Sequence, residues 1–144
     1  MNVLLKKVTS EKVSEVLALL TAANLPTNDI DEGVELFFLE ANEQVIATAG
    51  LEIKDKFGLL RSVSVLQNQK GKGYGQLIAQ ELEAYAKTQH IKQLYLLTTS
   101  AKEFFEQKCN YEVVERMNVP LEIQHSQQFS SVCPASAVVM KKNI

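Results

Sequence analysis

Three glycines at every second position, Gly71, Gly73 and Gly75, stand between an apolar alternating run and a helical pattern, with Lys70 and Lys72 interleaved. The run Leu59 to Val65 reads as a strand and Gln67 to Lys72 as a polar connection. A helix follows to about Lys87, with Ile78, Leu82, Tyr85 and Ala86 on one face. That order makes an anion site. The first amides of a helix have no partner within it, the helix dipole is positive there, and glycine removes the Cβ that would hold a phosphate off the main chain. The spacing excludes two common phosphate loops. G-x-x-x-x-G-K-[ST] is absent, and a dinucleotide fingerprint started at Gly71 requires glycine where Gln76 stands. The other reading is a solvated turn with no ligand.

These residues resemble the acyl-CoA site of the GNAT acetyltransferases, whose signature is Q/R-x-x-G-x-G/A after a strand reading L-x-x-V-x-V. Here it stands as Lys70-Gly71-Lys72-Gly73-Tyr74-Gly75, preceded by Leu60, Val63 and Val65. Lys70 replaces the usual Gln or Arg at a position that mainly offers its main-chain N–H. The resemblance implies acetyl-CoA (coenzyme A) as cofactor, with its pyrophosphate on the N–H groups of Gly71 through Gly75 and its pantetheine arm lying where the strands Leu59–Val65 and Gln93–Thr98 splay apart. Main chain around Val63 and Val65 would bond that arm, with Thr98 and Phe104 as further cofactor contacts. An N–H near Ser64 or Val65 would serve as a simple oxyanion donor. Proximity supplies much of the catalysis in this family.

Many members carry a tyrosine as general acid in a pattern like F-Y-E-K-x-G-F. The corresponding segment is Phe104-Phe105-Glu106-Gln107-Lys108-Cys109-Asn110-Tyr111. Counting back from Asn110 puts Glu106 at the tyrosine position, and counting forward from Ala101 puts Phe105 there. Water, or a hydroxyl such as Tyr111 or Ser131, then protonates the leaving thiolate, and the phenylalanine pair also reads as core. Glu40 and Glu52 are candidate bases, directly or through water, or else a solvated strand face. On an alternating strand Arg61 shares a face with Val63 and Val65, so its fork of donors could take a substrate carboxylate or form an edge-of-sheet ion pair. Thr27, Asp29, Ser130 and Ser131 are candidate acceptor-site walls or ordinary turn residues. Cys133-Pro134 reads as packing rather than as an acyl-enzyme nucleophile.

Composition narrows the classes. With 144 residues, 46% hydrophobic and 22% charged, the chain suits one globular domain, 1–144. A net charge of −2 argues against a general nucleic-acid binder. No apolar run approaches the ~20 residues of a membrane span, and no signal-peptide pattern opens the chain, so a cytoplasmic location is expected. Two cysteines make no disulfide framework, and His90 and His125 lie too far apart in sequence to suggest a metal site.

In chain order, Asn2–Val8 reads as a strand, and Thr9 or Ser10 as the cap of a helix with Val13, Val16, Leu17 and Leu20 on its stripe, fading near Asn24. Leu25 to Asp29 is a loop or a short second helix. Glu35–Ala41, a turn at Asn42-Glu43, and Gln44–Ile53 make a hairpin in which Gly50 marks a bulge or close approach. Lys54 to Gly58 turns into the strand ending at Val65. Gln93–Thr98 should lie parallel to Leu59–Val65 after the crossover helix. Ser100 to Glu103 reads as a capping box, Asn110 as a left-handed cap, Tyr111–Met117 as a strand, Asn118–Gln128 as a short helix, and Ser136–Lys141 as the strand that closes the sheet.

This order is also that of the GNAT fold: an α/β (α+β) arrangement with a mixed, mostly antiparallel sheet, splayed central parallel strands and helices on both faces. Leu25-Pro26-Thr27 with Asp29, Leu60-Arg61-Ser62-Val63, Leu96 to Thr99 and Cys133 to Ala137 with Met140 loosely resemble the arsenic-resistance-associated subgroup. The expected function is N-acetyl transfer from acetyl-CoA to the primary amine of a small molecule, an amino acid or a compound like one. A CoA-binding sensor without turnover and a protein or peptide N-acetyltransferase are the alternatives. No metal is expected; a homodimer is possible on the resemblance, through sheet edges or the C-terminal strand.

Overall fold

The computed structural model describes residues 4–23, 25, 27, 33–126 and 137–144. Apolar side chains on both faces of the central strands decide the architecture. In the strand Val34–Ala41 (β2), Val34, Leu36 and Phe38 face one way and Phe37, Leu39 and Ala41 the other, and all six are buried. A sheet apolar on both faces must be covered on both. The helices Tyr74–Thr88 (α2) and Lys102–Lys108 (α3) cover one face through Ile78, Leu82, Ala86 and Phe105. The helix Val13–Ala22 (α1) covers part of the other through Val16 and Leu20, and the short helix Leu121–Gln124 (α4) covers the rest, setting Ile123 against Leu59 and Tyr95.

The remaining strands are Leu4–Lys7 (β1), Gln44–Lys54 (β3), Phe57–Val65 (β4), Gln93–Thr98 (β5), Glu112–Val113 (β6) and Val138–Asn143 (β7). They form one seven-stranded sheet in the order β1-β2-β3-β4-β5-β7-β6. β1 to β4 run as an antiparallel meander, and β5 lies parallel to β4 after the α2 crossover. Asn42 and Glu43 both take positive φ, 52° and 64°, which fits a two-residue hairpin turn to the twist of its strands.

Two features open this sheet beside β4. The parallel ladder to β5 holds only three pairs, Phe57↔Gln93, Gly58↔Leu94 and Leu59↔Tyr95. Beyond them Leu60–Val65 and Leu96–Thr98 have no register with one another. The second feature is an extra residue in β4. Thr48 pairs with Ser64 and Gly50 with Arg61, so Ser62 and Val63 both stand opposite Ala49. Ser62 takes φ 58°. One inserted residue turns every later side chain to the other face. Leu59 and Leu60 accordingly pack into opposite clusters, yet Val63 and Val65 join the cluster of Leu60, under α2. The expectation that Arg61 shares a face with Val63 and Val65 fails for this reason: strict alternation does not survive the bulge.

Several boundaries also differ from the sequence reading. Neither Thr9 nor Ser10 caps α1 by its side chain; the N-cap is Lys12, and Thr9 offers its carbonyl to the amides of Lys12 and Val13 at 3.0 and 3.1 Å. The Ser100–Glu103 capping box does not form, because the Thr98 hydroxyl takes the amide of Ala101 at 2.9 Å and Ala101 is the N-cap of α3. The turn expected over Lys54–Gly58 is tighter, with Asp55 at φ 60° and β4 starting at Phe57. The strand expected over Tyr111–Met117 is only Glu112–Val113, since it pairs with β7 alone at the sheet edge and a 3₁₀ turn, Arg116–Asn118, follows. The helix expected over Asn118–Gln128 is described only as Leu121–Gln124. β7 does not close the sheet; it lies between β5 and β6 and extends to Asn143.

Leu82, on the inner face of α2, is fully buried. Leu82→Ala should cost about 2–5 kcal/mol, seen as a lower urea midpoint at unchanged slope.

Candidate functional site

β4 ends with the Leu66 amide bonded to the Ile46 carbonyl at 2.8 Å, and a 3₁₀ turn over Gln67–Gln69 carries the chain to the glycines. Gly71 and Gly73 take φ 82° and 86°, and Gly73 is the N-cap of α2. A Cβ at either would meet nothing within 4 Å, so their bare main chain faces open space. Gly75 serves a different need. A Cβ there would lie 3.0 Å from Phe104 Cζ, so its lack of a side chain lets α3 close on α2. Among the described residues the amides of Gly71 to Gln76 have no acceptor, and the first bond into the helix runs from the Leu77 amide to the Gly73 carbonyl at 3.0 Å. These are the orphan donors of a helix start, with the dipole behind them. Gln76 Nε2 donates to the Lys108 carbonyl at 2.9 Å and ties the end of α3 to this mouth.

A cleft of about 680 Å³ leads inward from the turn. Lys70, Lys108 and the glycines line it, together with Val63, Ser64 and Val65 of β4, Phe104 and Phe105 of α3, and Ala23 and Leu25 after α1. The Leu66–Ile46 bond sets the phase of the strand. Ser64 turns its main-chain groups to β3, and by alternation Val63 and Val65 turn theirs to the unpaired gap. An extended, amide-rich molecule would find strand-like donors and acceptors there. No carboxylate, histidine or cysteine is among the described lining residues.

The cleft thus brings together Val63, Ser64 and Val65 with Lys70, Gly71, Gly73, Tyr74, Gly75 and Phe104. Lys72 lies on the exposed turn and bonds Gln69 Oε1 at 3.2 Å. Other expected residues stand elsewhere. Thr98 uses its hydroxyl at the entry to α3. Glu106 is exposed, 3.9 Å from Lys102. Tyr111 is buried in the core, its hydroxyl without a hydrogen-bond partner among the described residues. Burial first, then Glu83 and Cys109, push its phenol well above the usual range. The Arg61 guanidinium is buried against Glu52 Oε2 at 3.2 Å, and its Nε donates to Ser62 Oγ at 3.3 Å. Glu52 also meets Lys54 at 3.7 Å. Glu40 is held by Lys6 at 2.8 Å and Lys12 at 3.3 Å, which lower its pKa. Thr27 is half-buried after α1; Asp29, Ser130, Ser131 and Cys133 lie outside the described residues. The sequence reading missed Gln76 and Lys108. Gln76 follows the third glycine and was visible as a first-turn polar residue, whereas Lys108 joins the site only through the packing of α3.

Residues 8–111 match the sequence profile of the acetyltransferase (GNAT) family. Comparison with curated proteins gives no significant match. Among solved structures, N-acetylglutamate synthase from Neisseria gonorrhoeae, complexed with coenzyme A and N-acetyl-glutamate, superposes with a TM-score of 0.83 at 14% identity over 99% of this chain and 35% of its own. The chain therefore spans about a third of the synthase. A GNAT-family acetyltransferase from Staphylococcus aureus Mu50 gives 0.77 at 16% identity over 99% of both chains. The PaiA N-acetyltransferase of Thermoplasma acidophilum, complexed with coenzyme A, gives 0.73 at 14% identity over 100% of both. At these identities the likeness is one of fold.

Cys109, at the end of α3, is buried, and burial first, then the Glu83 carboxylate, raise its thiol from the usual 9.0 to about 11, with Lys142 opposing. The folded state holds this proton more tightly than the unfolded one, so the stability it adds is whole below pH 9 and is lost as pH climbs through about 11. Urea midpoints should fall over that window, less steeply in Cys109→Ala. In native protein at pH 8, mass-mapped alkylation should leave Cys109 unmodified; rapid labelling would contradict its burial.

Proposed function

We propose, from the premise that the chain belongs to the acetyltransferase (GNAT) family, that this acetyl-CoA-dependent N-acetyltransferase acts on the primary amine of a small molecule, an amino acid or a compound like one, by direct transfer in a ternary complex. The observation that carries the reading is the cleft joining six amides, without acceptors among the described residues, to a strand edge unpaired among them.

The residues present fit the coenzyme. Positive φ at Gly71 and Gly73, with no atom within 4 Å of either virtual Cβ, leaves the main chain open to the close approach of a diphosphate. Lys70 and Lys108 add positive charge beside it. Bound acetyl-CoA supplies an activated thioester carbonyl. The chain's own part is to bind, orient and exclude water. The gap-facing groups of Val63 and Val65 would hold an extended arm, and the Val65 amide would be the donor for a carbonyl oxygen, since Ser64 turns its own amide to β3. Phe104 and Phe105 wall the site with apolar surface. No nucleophile is required of the protein when two substrates are held side by side.

Thr27, Asp29, Arg61 and Ser131 make up the proposed acceptor side. The Arg61 side chain is fully buried against Glu52 and lies outside the cleft lining, so it would shape the acceptor side rather than meet an acceptor carboxylate directly. Support for a small acceptor comes from the synthase of similar fold, complexed with coenzyme A and N-acetyl-glutamate.

Calorimetry should show coenzyme A and acetyl-CoA binding, and Gly73→Ala, which places a side chain at φ 86°, should weaken both by about tenfold. Release of free coenzyme A should then appear with amino acids in a panel of amines. Turnover confined to peptides would move the reading to protein acetylation, and tight binding without any turnover would leave a sensor.

A further inference from the structure

The residue that opens the cleft is not in the cleft. Ser62 carries the extra position of β4 at φ 58°, a left-handed conformation that a side-chain-bearing residue adopts only when its surroundings hold it. The ladder also leaves the Ser62 carbonyl out of step with β3. Thr48 answers both needs. It is completely buried on β3, and its hydroxyl donates to the Ser62 carbonyl at 2.8 Å. From the other side Arg61 Nε donates to Ser62 Oγ at 3.3 Å, and Glu52 steadies that guanidinium. Gly50, across from Arg61, keeps the space clear: a Cβ there would lie 3.2 Å from Leu36 Cδ2 and 3.3 Å from Arg61 Cγ.

We propose that Thr48 is a positioning residue for coenzyme binding: its buried hydroxyl locks the β4 bulge that turns Val63 and Val65 under α2 and presents their main chain to the gap. The proposal rests on the coenzyme reading of the cleft. Thr48 itself is absent from the cleft lining, so it acts wholly through Ser62. An uncommitted bulge could migrate along β4 or iron out, and either change would swap the groups that face the gap.

Thr48→Val keeps the shape and removes the donor, leaving a buried carbonyl unpaired. Coenzyme A should bind about tenfold more weakly, while Thr48→Ser, which keeps a hydroxyl, should stay near wild type. Glycine enters the left-handed region freely. Ser62→Gly should therefore hold the bulge without the clamp, and Thr48→Val in that background should lose much less affinity, a coupling read by a double-mutant cycle. A merely structural Thr48 would lower the urea midpoint yet leave the dissociation constant of the folded protein unchanged. If Thr48→Val alone fails to fold, the cycle is read in the glycine background, where binding within a few-fold of Ser62→Gly is expected. Wild-type affinity in Thr48→Val, or an equal loss with glycine at 62, overturns the proposal. Failure of the wild-type protein to bind coenzyme A overturns the reading of the cleft and the proposal with it.

Discussion

A strand cannot be paired on one edge and offer that same edge to a ligand, and the rest of the molecule follows from how β4 resolves this. It pairs with β5 for three residues and then stops, while its other edge stays paired with β3 as far as Val65, with one bulge on the way. Unpaired main chain in a protein interior is costly unless water or a partner meets it. Here the unpaired stretch borders a cleft, so solvent meets it until a ligand does. On the proposed reading the coenzyme would serve as a missing strand, with its charged end where α2 begins. The two halves of the site share one element, since the strand that exposes the gap also delivers the chain to the glycines.

Holding this arrangement takes packing on both faces. α2 is anchored by Ile78, Ala79, Leu82 and Ala86, all at most 1% exposed. Its side is pinned by Tyr85, whose ring lies 4.9 Å from Phe37 and whose hydroxyl donates to Glu35 at 2.7 Å. At its mouth Gly75 receives Phe104 and Gln76 holds the end of α3. Each contact fixes the direction of the orphan amides and none consumes them.

Most of the fold could be read from periodicity. The stripe of α1, the two-residue turn at Asn42-Glu43 and the strand–glycine–helix passage all rest on local signals, and local signals survive folding. The errors arose where a distant residue decided. Alternation along β4 put Arg61 with Val63 because nothing in Leu59–Val65 announces an extra residue; Thr48, fourteen positions upstream, accounts for it. Ser100 has the right spacing for a capping box, but the Thr98 hydroxyl is already in reach of the amides it would serve. Tyr111 is a hydroxyl at a suggestive place in the chain and a core residue in space. β7 slips between β5 and β6, an order that chain position alone does not reveal. The glycine turn with its bare amides was legible because glycine spacing itself shapes the main chain, whereas acid–base partners depend on which side chains meet across elements.

Whether the amides at the start of α2 take the diphosphate decides between a coenzyme site and a bare turn. Backbone amide shifts followed by ¹H–¹⁵N spectra during a coenzyme A titration test it most directly. Gly71, Gly73, Tyr74 and Gly75 should move furthest, downfield as they gain charged acceptors, with Val63 and Val65 shifting as the arm fills the gap. Saturable binding that leaves those amides in place and moves resonances on another face would contradict it.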